Sequence, residues 1–435
     1  MATINSNTKV TLTGSGTFNI AGQTQYWGGR FMEFLSFWNP HENPVVKLNI
    51  AMSGRDWDIA ILRIVGSISA TVTDSNSNAR RIDTMQLGGN GNHVLTLRST
   101  EVGSIAMADG HDRATIGAGN IGVLRMGFGN DTLTSGTGFI DMIDLGDGNN
   151  TATIGAGGAR TLLGGGGIDR ITLRGEVDYI NTEGGNDRIT TTSGWVGFID
   201  AGRGKDVVTL GRGGADTILL GRDADIIHIK PQTDPTALVS INGGGGVSNS
   251  KNQDSDLISF ADFSAGVTVD LRAGRATSAQ GNFVLREMEH VTGGKGHDLL
   301  RGDGEANRLT GGTGRDTLEG GAGADTLVGG GGADRFVFTT KSDSTPRARD
   351  VISDFNRSQG DKIDLTRLDG NDRASGNQDL KFIGSSAFSG KAGELRAFTS
   401  GSATRIEADT NGDGRADFSL DLGNRVSLIG SDFLL

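Results

Sequence analysis

Gly311-Gly312-Thr313-Gly314-Arg315-Asp316-Thr317-Leu318-Glu319 is the stretch that decides how this chain folds. Its pattern recurs: Asp298, Asn307, Asp316, Asp325 and Asp334 stand nine residues apart between Gly293 and Val337. The form G-G-x-G-x-D-x-U-x specifies a β-helix turn that holds calcium and then enters a short strand. Each residue type has a reason. Glycines reach the positive φ that turns carbonyl oxygens inward. The aspartate supplies carboxylate charge to a hard cation that takes about six to eight oxygens. The apolar residue two places later enters the core, which predicts an inward row of Leu300, Leu309, Leu318, Leu327 and Phe336.

A slower clock runs through the first half. His93, Asp112, Asp131, Asn150, Asp169, Asp187 and Asp206 are separated by 19 residues, once by 18. Each interval predicts one coil with two strands. The first strand follows the aspartate, as in Asp169-Arg170-Ile171-Thr172-Leu173. The second contributes one inward aliphatic residue per coil: Ile105, Leu124, Ile143, Leu162, Ile180, Ile199 and Ile218. Such a row is what stacked parallel strands bury. Only one turn of each coil keeps the metal-type loop (Gly127-Phe128-Gly129-Asn130-Asp131). The opposite turn reads Ser135-Gly136-Thr137-Gly138, so cations are expected along one edge, interrupted at His93 and Asn150. At Asp216 and Asp225 the nine-residue spacing returns, and both edges are expected to bind there. Thr96, Thr115, Thr134, Thr153, Thr172, Thr190 and Thr209 follow the same clock and should stack on the outer face, as threonine does in strands.

Composition agrees with a metal-stapled sheet protein. Glycine is 72 of 435 residues, yet 35% of the chain is hydrophobic, so a core is available. There is no cysteine to form a disulfide, and bound metal is the alternative staple. A formal net charge of −11 argues against a nucleic-acid partner. No apolar run of about 20 residues provides a transmembrane segment. Met1–Gly14 lacks the basic start and apolar centre of a secretory leader. Proline is absent from residues 45 to 230, where continuous pairing is expected because proline is excluded from paired strands.

The nonapeptide block resembles the RTX family of glycine-rich calcium-binding proteins. Beyond it, Ala333-Asp334-Arg335-Phe336-Val337-Phe338, Asp350-Val351-Ile352-Ser353-Asp354-Phe355 and Asp361-Lys362-Ile363-Asp364-Leu365 are similar to the C-terminal domain of serralysin-type secreted proteins. The resemblance implies that the uncleaved C-terminus, Ser431-Asp432-Phe433-Leu434-Leu435, is the signal read by a type I secretion apparatus.

These readings predict an all-β, right-handed parallel β-solenoid with five parts. Residues 1–84 form an N-terminal β-rich cap or assembly segment, in which Phe31, Phe34, Leu35 and Trp38 have the spacing of a short amphipathic helix. Residues 85–230 form 19-residue coils, 231–292 a linker or insertion with strands, 293–337 the calcium β-roll, and 338–435 the C-terminal secretion domain. A further loop, Asp409-Thr410-Asn411-Gly412-Asp413, spaces its acids as an EF-hand does but lacks the closing glutamate, so it reads either as an extra calcium site or as a tight hairpin turn.

No catalytic constellation stands out. His-Glu-x-x-His is missing. Asn39-Pro40-His41-Glu42 is close to the Asp-Pro-His-Glu motif of alginate epimerases, with asparagine in place of the aspartate. Asp141, Asp144, Asp147 and Asp178 are candidate acids by residue type alone. The expected function is therefore non-enzymatic: a secreted protein that folds on several Ca2+ ions after export and self-assembles in a surface layer, matrix or adhesion structure, with an architecture similar to RTX surface-layer proteins. A cell-surface glycan is the other candidate partner. The alternatives are a polysaccharide-modifying enzyme and an ice- or glycan-binding solenoid.

Overall fold

A computed structural model describes residues 81–245 and 255–435 in full, together with the backbone of nine strands between Ala2 and Asp74. The chain divides into two compact units, Met1–Arg222 and Asp223–Leu435. Each is a parallel β-solenoid, and the only helical element among the described residues is the short 3-10 turn Gly430–Asp432.

In the first unit every coil contributes one strand to each of two sheets. One sheet runs through Glu101–Ala106, Ile121–Arg125, Ile140–Asp144, Ala159–Leu163, Val177–Asn181, Val196–Asp200 and Ala215–Leu219, each parallel to the next. The other stacks Val94–Leu97, Arg113–Ile116, Thr132–Ser135, Thr151–Ile154, Arg170–Leu173, Arg188–Thr191 and Val207–Leu210. Alternation makes these sequences strands: in Arg170-Ile171-Thr172-Leu173 the two aliphatics are buried and the polar residues are not. The expected inward row, Ile105 to Ile218, is fully buried at every member. Burying each such side chain stabilises the coil by about 1.5–3 kcal/mol. The threonines stand outside the core and pair rung to rung, Thr115 with Thr134 and Thr172 with Thr190.

The coils begin earlier than the sequence suggests. Asp58–Val65 pairs in parallel with Arg81–Leu87, and Ala70–Asp74 with Val94–Leu97. The helix expected over Phe31–Trp38 is instead two strands, Phe31–Met32 and Leu35–Trp38, both parallel to Asp58–Val65. An i, i+3, i+4, i+7 pattern over eight residues is too short to outweigh a neighbouring strand that supplies ladder hydrogen bonds. The Asn39–Glu42 motif lies outside the described residues.

The second unit uses 18-residue coils, two nonapeptides each. Leu299–Arg301, Thr317–Glu319, Arg335–Val337, Lys362–Asp364 and Phe433–Leu434 form one parallel ladder. His290–Thr292, Arg308–Thr313, Thr326–Gly331 and Val351–Ile352 form the other. Leu300, Leu309, Leu318, Leu327 and Phe336 are fully buried, as their spacing predicts. The described strands of 231–292 are part of the stack: Leu257–Ser259 pairs with His290–Thr292, and Val267–Asp270 with Leu299–Arg301. An antiparallel excursion through Arg275–Ser278 and Gly281–Arg286 is inserted between them. At the C-terminal end the antiparallel strands Glu394–Ser400, Ala403–Asp409 and Phe418–Leu422 dock through Phe338, whose ring meets Phe418 edge-on at 5.3 Å.

Candidate metal centre

The turns bring the repeat aspartates into rows. In the first unit the backbone N–H of His93 donates to Oδ1 of Asp112 at 2.6 Å, that of Asp112 to Asp131 at 2.7 Å, and that of Asp131 to Oδ1 of Asn150 at 2.9 Å. The row continues from Asn150 to Asp169, Asp187 and Asp206 with N–H···Oδ1 distances of 2.9, 2.7 and 2.7 Å. From Asp112 onward one side-chain oxygen of each residue, the amide oxygen at Asn150, thus ties its coil to the preceding one.

The second unit has two rows, one per edge. Asp298 donates its N–H to Asp316 at 2.8 Å, Asp316 to Asp334 at 2.9 Å, and Asp334 to Asp361 at 3.0 Å. On the other edge Asn307 donates to Asp325 at 2.8 Å and Asp325 to Asp350 at 2.9 Å, while Asp225 donates to Asp256 at 2.8 Å. Asp256, Asp350 and Asp361 escaped the sequence reading because long insertions break the nine-residue interval before them; Asp256 keeps its glycine at Gly243, where a Cβ would lie 2.3 Å from its Oδ2. The remaining signal was an aspartate two places before an inward aliphatic, Ile258, Ile352 or Ile363.

The second oxygen is the informative one. Oδ2 of Asp112, Asp131, Asp316, Asp325, Asp334 and Asp350 is buried and meets no hydrogen-bond donor among the described residues. A buried anionic oxygen without a partner is costly. Burial accordingly pushes the carboxyls up, Asp112 and Asp350 to about 8, Asp169, Asp316 and Asp325 to about 7, and Asp131 to about 6. These acids are in the wrong environment for a free carboxylate and in a suitable one for a cation.

The seats differ between the units. Around Asp316, Asp325 and Asp334 the residue five places earlier is glycine, and a Cβ there would lie 2.5, 2.3 and 2.5 Å from Oδ2. In the first unit the same offset holds Met107 and Met126, both fully buried, and a glycine only at Gly164 before Asp169. Among the described residues no three His, Asp or Glu side chains converge on one point. An ion here would therefore combine carboxylates with backbone carbonyls, a donor set that suits a hard cation such as calcium.

Two expectations are corrected. Asp216 is outside the rows: it lies exposed on strand Ala215–Leu219 and accepts a hydrogen bond from Nε1 of Trp195 at 3.2 Å. The recurrence of a nine-residue interval at that point does not return the chain to a turn, because the 19-residue coil still places its strand there. The loop at Asp409 is a hairpin turn. Asp409 spends both oxygens on the N–H groups of Gly412 and Gly414, and Asn411 donates to Asp417 at 2.8 Å. Asp413 is exposed and accepts the N–H of Arg415. Of the acids singled out by type alone, Asp141 and Asp144 face outward in ion pairs with Arg160 and Arg125 at 3.0 and 3.8 Å.

Stacked coils whose turns present rows of buried carboxylates define a class, the parallel β-solenoids with acidic turns. The comparison with known proteins narrows it. The family described as Peptidase M10 serralysin C terminal matches residues 43–435, and the chain belongs to this family. Serralysin G of Dickeya chrysanthemi is similar over 146 residues at 38% identity, which covers 32% of this chain and 29% of that protein. The chain thus matches less than a third of that relative's length. Domains of this family are calcium-binding repeat domains of secreted proteins. No helix among the described residues is long and apolar enough to cross a membrane.

Proposed function

We propose that this is a non-enzymatic, calcium-dependent structural protein, exported by a type I apparatus and assembled outside the cell into a surface layer, matrix or adhesion structure. The observation that carries the calcium part is the set of buried Oδ2 atoms that face no donor. Where calcium is scarce, these carboxylates disfavour the folded form and the chain stays open for export. In calcium-rich surroundings each filled site stabilises the folded form, by about 2.7 kcal/mol at one hundred times its dissociation constant.

Self-association draws support from the outer face of the first unit. Val123, Met142, Thr161, Tyr179 and Phe198 are successive rungs of one outward row, with Tyr179 and Phe198 stacked at 5.5 Å. Beside it Phe139 and Trp195 are more than a third exposed. Fluted apolar faces of this kind favour side-by-side packing of copies. A second reading, a glycan partner, is favoured by a hollow of about 330 Å³ on the same face, lined by Arg81, Glu101, Asn120, Phe139, Asp141 and Arg160. Calcium added to chelator-treated protein, followed by circular dichroism, light scattering and negative-stain microscopy, decides between them. Folding with sheets or filaments supports assembly. Folding to a dispersed monomer that is retained on a polysaccharide matrix supports the glycan reading and sinks self-assembly.

A further inference from the structure

Asn150 stands where its neighbours carry aspartate, and its amide shows what belongs at the orphaned oxygen. Its Oδ1 accepts the N–H of Asp131, and its own N–H donates to Asp169, so the ladder between coils passes through it unbroken. Its Nδ2, at the place of Oδ2, donates to the carbonyl of Gly146 at 2.8 Å. The carbonyls of Gly148 and Gly164 lie 3.4 and 3.5 Å from the same nitrogen. Gly164 belongs to the next coil, so this nitrogen sits between two coils. There it also lowers the Asp169 carboxyl, against the larger effect of burial.

The turn is repeated on both sides. Gly127 and Gly129 have φ of 95° and 136°, Gly146 and Gly148 75° and 139°, and Gly165 and Gly167 89° and 125°. The backbone of the turn is thus the same in the coils on either side of Asn150. At Asn150 the carbonyls meet an N–H2 group. At Asp131 the same offsets assign Gly127, Gly129 and Leu145, and there the buried Oδ2 meets no donor among the described residues, so carbonyls placed around it as they are around Asn150 would need something positive between them.

We propose that the Asn150 amide is a built-in replacement for the cation, so that the row of ions in the first unit is divided at this coil. Divalent cations then occupy the seats at Asp112 and Asp131 on one side, and the row resumes at Asp169 on the other. The coil of Asn150 closes without metal. This inference rests on the calcium reading above.

The test uses the full chain, stripped with chelator, with calcium as the probe and ions counted by native mass spectrometry and titration calorimetry. Asn150→Asp is expected to bind about one calcium more than the natural protein. Without calcium it should melt lower than the natural protein, and saturating calcium should restore it. Asp131→Asn is the complement: about one calcium fewer, and a higher melting temperature in chelator. It also serves if Asn150→Asp fails to fold. Calcium binding in unchanged number in these variants overturns the inference and leaves the calcium reading standing. No calcium bound by any of the proteins overturns both.

Discussion

Oδ2 of Asp316 occupies the space that a Cβ on Gly311 would fill: the two would be 2.5 Å apart. The five-residue interval between the first glycine and the aspartate of the repeat is therefore a packing relationship as well as a conformational one. Within the nonapeptide repeats it ties the metal-seeking oxygen to a position with no room for a Cβ.

Gly311→Ala should accordingly push the Asp316 carboxylate out of its seat. We expect a loss of about 1–3 kcal/mol from the forced shift, and weaker calcium binding in a titration. Gly304→Ala is the control, because a Cβ there meets nothing within 4 Å, and its effect should stay within about 0.5 kcal/mol. Equal effects of the two substitutions would show that glycine acts here only through chain flexibility.

The stability of chelator-treated protein should fall as pH rises. Asp112, Asp131, Asp169, Asp316, Asp325 and Asp350 have folded-state values of about 6 to 8, above the ordinary value of about 3.9. The folded form then holds more protons than the unfolded chain, so the slope of stability against pH is negative. The contribution is fully present below pH ~4 and is lost as pH rises through 6 to 8. Melting temperatures between pH 5 and 8 check this. A rise over that range without calcium would contradict it, and added calcium should flatten the decline.

The rows extend beyond the glycine-rich repeats. Asp350 accepts the N–H of Asp325 at 2.9 Å, and its Oδ2 faces no donor. Asp350→Ala should lower the calcium stoichiometry or affinity although the residue lies outside the nonapeptide block. Unchanged calcium binding would exclude Asp350 from the metal sites.

An ion pair and a strand ladder hold the final residues. Arg357 reaches Asp432, which is completely buried, at 2.5 Å, and Phe433 pairs with Ile363. Solvent screens the half-exposed guanidinium, and Asp432 keeps the N–H of Ile429 as a donor, so Arg357→Ala should cost about 1 kcal/mol. Proteolysis should then release the C-terminal strand first. A substitution that leaves protection of Phe433 and Leu434 unchanged in hydrogen exchange would show that the ladder alone anchors this end.

Periodicity made the stack legible. A residue that recurs every nine or 19 positions meets its own kind in the next coil, so Leu318, Ile143 and Thr172 could be placed in or out of the core by counting. The same counting found the aspartate rows, because a turn that repeats in sequence repeats in space. Counting failed where the interval survived without the turn, as at Asp216, and where the turn survived without the interval, as at Asp350 and Asp361. Pairing with a neighbouring strand, which no local pattern records, turned Phe31–Trp38 from helix to strand. The orientation of each carboxylate was also hidden. Asp131 and Asp409 are both buried aspartates beside glycines. Only the tertiary structure shows that the loop of Asp409 meets both oxygens with its own N–H groups, while the preceding coil takes one oxygen of Asp131 and leaves the other facing no donor. Sequence sets which groups recur, and three-dimensional stacking decides which of their hydrogen bonds remain to be made.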